Sequence, residues 1–334
     1  MSTTIAVLGD GAWGTAMALL LAGQPDTQVR LWSARPENAE RLRQQRENVR
    51  FLPNVPIPQS IMLTADPAEA TANADLWVSA VPTVYLRETI GRFRSLASPA
   101  TPVVSLTKGI EIATFRRPTQ IIEEILGTDR VATLSGPTHA EEVSRGMPTA
   151  AIAAGSDSML TAQVQKLFST DRFRVYTNSD LIGVEIAGAL KNVIGIAAGI
   201  GDGLGYGDNA KSALLTRGLV EMSRFGAAMG GEPDTFHGLA GVGDLITTCF
   251  SPHGRNRLVG ERLGKGETLS QILATMSAIS EGVTTAKAVH ERTRIMGLDM
   301  PITASVYGIL YEGVPAAQSV NTLMSRKSGS ERKY

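Results

Sequence analysis

The amino-acid sequence predicts an α/β protein in which a doubly wound sheet is followed by an all-helical domain. In the first half of the chain, short β-rich apolar runs alternate with helical segments. From about Asp180 onward the pattern changes to segments rich in Ala, Gly and Leu, with apolar residues at helical spacing. Alternation of the first kind is typical of a sheet with helices on both faces. A length of 334 residues also favours two domains over one.

The first strand and the turn after it indicate a nucleotide-binding site. The apolar run Ile5–Leu8 leads into GDGAWG, with glycines at Gly9, Gly11 and Gly14, and then into an Ala/Leu-rich helix. In a dinucleotide-binding turn the first glycine allows the tight turn, the second lets the pyrophosphate approach the backbone, and the third lets the helix pack on the sheet. Free N–H groups at the helix start bind the pyrophosphate. We therefore predict a Rossmann-type domain; the alternative is a glycine-rich turn that binds no ligand.

The end of the second strand bears on the choice of cofactor. This strand is predicted at Gln28–Trp32, and NAD-selective domains close it with an acidic residue that binds the ribose 2′-hydroxyl. The chain instead continues Ser33-Ala34-Arg35, and an arginine at this place can bind a 2′-phosphate. Arg35 therefore favours NADP, unless it is a surface arginine paired with Glu37.

Five further runs extend the predicted sheet. They are Asp75–Val81, Pro102–Leu106, Val131–Leu134, Thr149–Ala153 and Phe173–Tyr176. Ligands of such sheets bind at the carboxyl ends of the strands. Strand ends are followed by Pro82, by Lys108 and by Gly136-Pro137-Thr138. These residues are therefore placed where a ligand is expected.

The domain boundary follows from a helix start at Asn178-Ser179-Asp180. We place a dinucleotide-binding Rossmann domain at residues 1–178 and a helical substrate-binding and catalytic domain at residues 179–325. Residues 326–334 are mostly charged and polar and are predicted to form a flexible tail.

The composition narrows the classes of partner. The chain has 32 basic and 32 acidic residues, so its net charge of zero gives no long-range field to attract nucleic acid or an anionic membrane. A single cysteine, Cys249, is typical of a reduced intracellular compartment. The apolar stretch Asn192–Gly201 has about ten residues, whereas a membrane span needs about 20. We therefore expect a soluble, cytoplasmic protein without a membrane span or a signal peptide.

Lys191 is the candidate for proton transfer. A reductase needs a proton donor beside the carbonyl that accepts hydride, and it must hold the carbonyl carbon against the nicotinamide. Lys191 lies in an otherwise small and apolar helical segment, AGALKNVIGI. The spacing leaves open whether its ammonium is part of a site or extends from the helix into solvent.

Four other polar residues are candidates for the same site. Lys108 ends a predicted strand and is followed by a glycine that lets backbone approach a ligand. Arg255 and Asn256 open a predicted helix, where N–H groups and a guanidinium would hold a phosphate; the alternative is a solvated basic turn. Asp244 follows a glycine-rich segment, and it either holds a lysine ammonium or a substrate hydroxyl, or caps the helix after it.

With these residues in place, the chain resembles the bacterial type of NAD(P)-dependent glycerol-3-phosphate dehydrogenase. The resemblance runs from about residue 4 to residue 325. Its segments, in order, are GDGAWGTA, FLPNVPIP (Phe51–Pro58), TKGIE (Thr107–Glu111), LSGPTHAEEV (Leu134–Val143), KNVIGIAAGIGDGLGYGDNAKSALLTRGL from Lys191, GLAGVGDL, GRNR, SEGV and MPI (Met300–Ile302). So many matches in one order are stronger evidence than the glycine turn alone.

The resemblance implies a reversible reduction of dihydroxyacetone phosphate to sn-glycerol 3-phosphate by NADH or NADPH, supplying glycerophospholipid synthesis. It implies Lys191 as the general acid of the reduction and the base of the reverse reaction. The substrate-binding residues that it implies are Lys108, Gly136, Thr138, Lys191, Asp244, Gly254, Arg255 and Asn256. Besides the glycines of the turn, the implied cofactor-binding residues are Ala12, Trp13, Arg35, Lys108, Ala140, Arg255, Ile279 and Glu281. No metal site is predicted.

Two positions depart from the family pattern. Ala12 stands where the family often has serine, so only its backbone N–H can serve the pyrophosphate. Gly254 replaces a frequent serine before Arg-Asn, so its contribution to phosphate binding is backbone only. Neither departure removes a proposed catalytic group.

Two other functions stay open. A 3-hydroxyacid dehydrogenase or a ketopantoate-type reductase has the same architecture, but its carboxylate substrate would leave Arg255 and Asn256 without their role. A non-catalytic redox sensor would bind the dinucleotide alone, and the presence of Lys191, Lys108 and Asp244 together argues against it. The predicted partner is a small-molecule substrate; the sequence leaves the oligomeric state open, with a homodimer as the candidate assembly.

Overall fold

A computed structural model describes residues 2–276, 280–327 and 330 of the chain. The chain divides into two compact units, the first with residues 1–108 and 117–181 and the second with residues 109–116 and 182–334. The segment 109–116 thus joins the second unit, although the sequence predicts it within the first domain. Phe115 accounts for this, because its ring packs edge-on against Phe225, with centroids 6.0 Å apart, and lies 5.3 Å from the Arg292 guanidinium carbon.

The first unit is built on an eight-stranded sheet with the order β10-β9-β8-β7-β6-β1-β2-β5. Its neighbouring strands are parallel except for β8 and β9. The strands of the described residues are β1 (Thr3–Leu8), β2 (Thr27–Trp32), β3 (Glu47–Asn48), β4 (Leu52–Pro56), β5 (Met62–Thr64), β6 (Leu76–Ser79), β7 (Val103–Ser105), β8 (Val131–Ser135), β9 (Thr149–Ala154) and β10 (Phe173–Asn178).

The sheet has a topological switch point at β1, which lies between β2 and β6. The chain runs from β1 through β2 to β5 at one edge and then returns to β6 on the other side of β1. This arrangement is the doubly wound topology, so the predicted fold class is confirmed. The sequence pattern does not predict that β9 and β10 run antiparallel to the other strands of the sheet, nor does it predict the short strands β3, β4 and β5.

Alternate residues of β1 pack into two different apolar clusters, one on each face of the sheet. Ile5 and Val7 belong to one core cluster with Met17, whereas Ala6 and Leu8 belong to another with Phe93. This period of two is what a strand buried on both faces requires. The helices of the unit are α1 (Ala12–Ala22), α2 (Pro36–Gln45), α3 (Pro67–Thr71), α4 (Thr83–Gly91), α5 (Pro118–Leu126), α6 (Ala140–Val143) and α7 (Ser158–Phe168).

Among the described residues of the second unit, the regular secondary structure is helical, as predicted. The helices are α8 (Leu181–Gly203), α9 (Asp208–Ala228), α10 (Asp244–Phe250), α11 (Arg255–Gly264), α12 (Leu269–Thr275), α13 (Glu281–Met296), α14 (Pro301–Tyr311) and α15 (Ala316–Met324). A π-helical turn, Leu239–Gly243, directly precedes α10. Of the predicted tail, residues 328–329 and 331–334 lie outside the described residues.

Glycines let α8 and α11 pack backbone against backbone. A Cβ on Gly199 of α8 would lie 1.9 Å from the carbonyl oxygen of Arg257, and a Cβ on Gly260 of α11 would lie 2.0 Å from that of Ile196. No side chain fits at either place. The close approach fixes the start of α11 relative to the middle of α8, where Lys191 lies.

Among the described helices, α8 is long and apolar enough to cross a membrane by length and composition. The sequence analysis predicted an apolar stretch of only about ten residues, Asn192–Gly201. The apolar helix is longer than this prediction, because it begins at Leu181, before Lys191. However, 83% of its most apolar 18-residue window is buried inside the protein. Its apolar side chains, among them Val193 and Ile196, contribute to the core of the second unit.

Candidate active site

The glycine turn after β1 has the geometry that a dinucleotide requires. Gly9 has φ of +117°, and a Cβ on Gly14 would lie 1.9 Å from the Gly9 carbonyl oxygen, so neither position accepts a side chain without rearrangement. By contrast, a Cβ on Gly11 would meet no described atom within 4 Å. The space beside Gly11 is therefore open, and Gly11 is the N-cap of α1, a helix start of the kind that binds phosphate groups through its N–H groups.

The residues after the glycine turn pack against two other segments in which the sequence resembles the family. Ala12 and Trp13 begin α1 and contact an apolar cluster that contains Leu52 and Val55 of β4 together with Ala140. Ala140 is the first residue of α6. The structure thus brings together Ala12, Trp13 and Ala140, three of the residues predicted to bind cofactor.

The arginine predicted to favour NADP follows the end of β2 by three residues. Arg35 is exposed and is the N-cap of α2, the helix that follows β2. The preceding Ser33 is almost fully buried, and its hydroxyl donates a hydrogen bond to Oδ2 of Asp10 at 2.7 Å. A carboxylate from the glycine turn is therefore held at the end of β2, which sequence reasoning missed.

The carboxyl ends of β7 and β8 bring three predicted substrate-binding residues together. Lys108 Nζ donates to the carbonyl oxygen of Gly136 at 2.8 Å and to Thr138 Oγ1 at 3.3 Å. Gly136 has φ of +128°, and a Cβ there would lie 3.1 Å from Ala151 Cα. The glycine is therefore needed both for its conformation and for the close approach of β9.

Lys191 lies in a buried polar group within the second unit. It is 7% exposed, and its Nζ donates to Asp244 Oδ1 at 2.9 Å and to Thr248 Oγ1 at 2.6 Å. The alternative of a lysine extended into solvent is wrong, since Asp244 and Thr248 hold the ammonium inside the unit. The capping alternative for Asp244 is also wrong: the N-cap of α10 is Gly243, and Asp244 is the first helical residue.

Local structure explains how these three side chains meet. The π-helical turn before α10 contains Gly241, where a Cβ would lie 1.9 Å from the carbonyl oxygen of Phe236. One helical turn after Asp244, Thr248 lies on the same face of α10. Its methyl group occupies the space left by Gly195 of α8, where a Cβ would lie 2.5 Å from it. Thr248 was missed by sequence reasoning, because a lone threonine in an apolar helix carries no signal.

Asn256 connects the start of α11 to two other helices. Its Nδ2 donates to Asn192 Oδ1 at 2.9 Å, and its Oδ1 accepts hydrogen bonds from Ser280 Oγ at 2.6 Å and from Gly282 N at 2.9 Å. Asn192 is the neighbour of Lys191 on α8, and Gly282 lies in the first turn of α13. Asn256 therefore caps α13, a structural role that the sequence did not reveal, and the second N–H of its amide has no partner among the described residues.

The remaining predicted residues lie around the same helix starts. Gly254 is the N-cap of α11, and Arg255 is its first residue and is exposed. Glu281 begins α13. A Cβ on Gly254 would lie 3.0 Å from the Thr248 carbonyl oxygen, so a residue with a side chain at this position would require a small local shift. Ile279 lies outside the described residues.

Electrostatics distinguish the buried Lys191 group from the thiol beside it. Cys249 is fully buried, and burial raises the pKa of its thiol to about 12. A thiol with such a pKa is a poor nucleophile at neutral pH. Cys249 is therefore not a candidate nucleophile, although it lies close to Lys191.

The first unit has a doubly wound sheet and a glycine turn whose geometry suits a dinucleotide. The second unit is helical and contains a buried lysine–aspartate pair. These features define a dinucleotide-dependent dehydrogenase. The profile of the NAD-dependent glycerol-3-phosphate dehydrogenase N-terminus matches residues 4–161, and that of the C-terminus matches residues 180–321. The chain belongs to this family. The family resemblance seen in the sequence, and the dependence on NAD or NADP that it implied, are confirmed.

Individual relatives extend over the whole chain. A protein of Chlorobium phaeobacteroides (strain BS1), named glycerol-3-phosphate dehydrogenase [NAD(P)+], is 50% identical over 99% of both chains. The crystal structure of a glycerol-3-phosphate dehydrogenase from Coxiella burnetii is 36% identical, covers 97% of this chain and 99% of its own, and superposes with a TM-score of 0.93. Both similarities include the two units.

One alternative architecture is similar in fold alone. A ketopantoate reductase of the PanE/ApbA family from Ralstonia eutropha JMP134 covers 96% of this chain with a TM-score of 0.60, but it is 17% identical. The expectation that a ketopantoate-type reductase shares the architecture is therefore confirmed. Sequence identity, however, places this chain with the glycerol-3-phosphate dehydrogenases.

Proposed function

We propose that this protein reduces dihydroxyacetone phosphate reversibly to sn-glycerol 3-phosphate with NADPH or NADH. The observation that carries the proposal is the buried Lys191 ammonium, held by Asp244 and Thr248 in a chain of this family. Relatives named for this activity match the chain from end to end. The proposal assigns Lys191 the proton transfer.

The proton step follows from the hydrogen bonds of Lys191. The bound cofactor supplies hydride to the carbonyl carbon of the substrate, which leaves negative charge on the carbonyl oxygen. An ammonium has three N–H donors, and Asp244 and Thr248 accept two of them. The third stabilises the developing oxyanion and delivers its proton. Asp244 supports this role because its negative charge stabilises the ammonium.

The substrate phosphate is assigned to the start of α11. Arg255 begins the helix, so its guanidinium is carried by the positive end of the α11 dipole, where a phosphate is favoured. Because Asn256 joins this helix start to Asn192, the phosphate-binding residues are held in register with α8, which carries Lys191. Within the first unit, Lys108 with Gly136 and Thr138 provides a second cationic group, to which we assign binding of the substrate and of the nicotinamide end of the cofactor.

The cellular role is part of the same proposal. The product of the reaction is the backbone of glycerophospholipids, so we propose that the enzyme supplies their synthesis in the cytoplasm. A single cysteine, fully buried, suits a reduced compartment. We propose a homodimer as the working assembly, which light scattering of the purified protein would test.

Steady-state kinetics test the activity. We expect the purified protein to oxidise NADPH and NADH on addition of dihydroxyacetone phosphate, and to use unphosphorylated dihydroxyacetone far less well. Arg255→Ala should lower kcat/KM for the phosphorylated ketone strongly and hardly change the slow rate with the free ketone, because it removes a contact remote from the carbonyl. Equal losses on both substrates would reject the phosphate-binding role.

The alternatives give different outcomes in the same assay. A 3-hydroxyacid dehydrogenase or ketopantoate-type reductase would oxidise the cofactor with a 2-oxo or 3-oxo acid and leave dihydroxyacetone phosphate untouched. A redox sensor would bind NADPH or NADH, measured by cofactor fluorescence, without turnover of any carbonyl compound. Either result would overturn the proposed activity.

A further inference from the structure

The end of β2 holds a carboxylate that the strand itself lacks. After Trp32 the chain continues with Ser33, Ala34 and Arg35, none of them acidic. In a NAD-selective domain of this fold, an acidic residue at that place binds the ribose hydroxyls. In this protein the glycine turn supplies Asp10 instead, and the parallel register of β1 and β2 explains why.

The register places the turn beside the end of β2. Leu8 pairs with Trp32, and the backbone N–H of Gly9 donates to the Trp32 carbonyl oxygen at 3.0 Å. The next residues of the two segments, Asp10 and Ser33, are therefore neighbours. Ser33 is 1% exposed, and its hydroxyl fixes Oδ2 of Asp10 at 2.7 Å.

The surroundings of Asp10 are those of a binding position. Asp10 lines a cavity of about 230 Å³ together with Asn38, Arg41 and other residues of the chain segment that connects β2 to β4. Asn38 Nδ2 lies 3.5 Å from Asp10 Oδ2, and Arg35 acts electrostatically on the carboxylate. Burial raises the pKa of Asp10, so a charged carboxylate there gains from added hydrogen-bond donors.

We propose that the Asp10 carboxylate binds the adenosine ribose hydroxyls of the cofactor and thereby favours NADH, while Arg35 favours the 2′-phosphate of NADPH. The inference rests on the proposed cofactor-binding function. A carboxylate accepts hydrogen bonds from hydroxyls but repels a phosphate at the same place, so it discriminates between the two cofactors. The two side chains with opposite preferences explain how one chain can accept both dinucleotides.

The test compares the dissociation constants of NADH and NADPH, measured by fluorescence titration without substrate. Asp10→Asn keeps the shape and an oxygen that accepts the Ser33 hydrogen bond, but it removes the charge. We expect it to shift the affinity ratio toward NADPH by at least about tenfold, since hydrogen bonds to charged groups are the stronger ones. A ratio that changes less than about twofold, or that moves toward NADH, would overturn the proposal.

Glu47→Gln is the matched control. Glu47 lines the same cavity and also carries a carboxylate, but its Oε1 accepts a hydrogen bond from Asn54 N. Its neutralisation should leave the ratio unchanged; an equal shift would mean that general charge, not a contact of Asp10, sets the preference. If Asp10→Asn does not fold, judged by its unfolding midpoint, Asp10→Ser provides the same comparison. A wild-type protein that binds neither cofactor would refute the proposed function instead.

Discussion

In the first unit the candidate cofactor site consists chiefly of backbone, whereas in the second unit the candidate catalytic group consists of side chains distant in sequence. Gly9, Gly11 and Gly14 contribute by the side chains that they lack. Lys191 and Asp244 contribute charges, 53 residues apart, that meet only after folding. We therefore expect substitutions in the glycine turn of the first unit to act through shape, and substitutions in the lysine–aspartate pair of the second unit to act through charge and proton transfer.

The largest expected effect is the loss of the Lys191 ammonium. Lys191→Met is close in length and removes the proton donor, so kcat should fall by about 10² to 10⁴, the usual contribution of general acid catalysis. The affinity for NADPH, measured by fluorescence, should stay near that of the wild type. This outcome would separate the chemistry of the second unit from cofactor binding in the first.

A paired lysine elsewhere in the second unit provides the control. Lys211 Nζ lies 2.6 Å from Asp202, and its side chain is 14% exposed. Lys211→Met should change kcat only a few-fold. If Lys191→Met also turns over within a few-fold of the wild type, Lys191 is a structural lysine and the assignment must move to Lys108.

The second prediction concerns a buried carboxylate of the second unit. Glu221 is 3% exposed and accepts hydrogen bonds from Ile302 N, Thr303 N and Thr303 Oγ1 at the start of α14. Burial raises its pKa from 4.5 to about 7. Because the folded state binds the proton more tightly than the unfolded state, the stabilisation is complete below pH 4.5 and is lost as the pH rises through 7.

The change in the free energy of unfolding is on the order of 3 kcal/mol, since one pKa unit corresponds to about 1.4 kcal/mol. It should be measured by urea unfolding of the wild type and of Glu221→Gln between pH 4.5 and 8. The stability of the wild type relative to the variant should decrease over this range. A difference that stays constant with pH would show that the pKa of Glu221 is the same in the folded and unfolded states.

The third prediction tests whether the glycine turn of the first unit binds the cofactor. Gly11→Ala adds a methyl group that meets no described atom within 4 Å, so the unfolding midpoint should hardly change. The same methyl group would occupy the approach to the pyrophosphate, and the affinity for NADH and NADPH should fall by about 10- to 100-fold. Gly23→Ala, at the other end of α1, is the control and should retain both affinities. Unchanged binding by Gly11→Ala would mean that the dinucleotide lies elsewhere.

The same contrast explains what could be predicted from the sequence. The seven predicted strands and the glycine turn depend on local patterns, and each predicted strand lies within about two residues of an observed one. The hairpin of β3 and β4 was not predicted, because its strands are short and β4 contains Pro53 and Pro56, which interrupt a strand pattern.

Contacts between distant segments could not be read from the sequence. The family motifs pointed to Asp244 and Lys191, and the structure shows the ion pair that joins them. Asp10 lies at a position of the glycine motif that the motif does not specify, and Thr248 lies in no motif; each gains its role from a partner on another element. The assignment of segment 109–116 to the second unit likewise depends on Phe115 packing against Phe225.

The smallest expected effect belongs to Thr248, which we regard as a positioning residue because it acts through Lys191. Thr248→Val keeps the methyl group that packs at Gly195 but removes the hydroxyl that accepts a hydrogen bond from Lys191 Nζ at 2.6 Å. Asp244 still holds the ammonium, so the orientation of the remaining N–H is loosened rather than lost. We expect kcat to fall by about tenfold, in line with the loss of one hydrogen bond to a charged group, while the affinity for NADPH stays the same. Thr248→Ser restores the hydroxyl without the methyl group and should recover most of kcat. If Thr248→Val keeps the wild-type kcat while Thr248→Ser is slow, the methyl packing at Gly195 matters and the hydrogen bond does not.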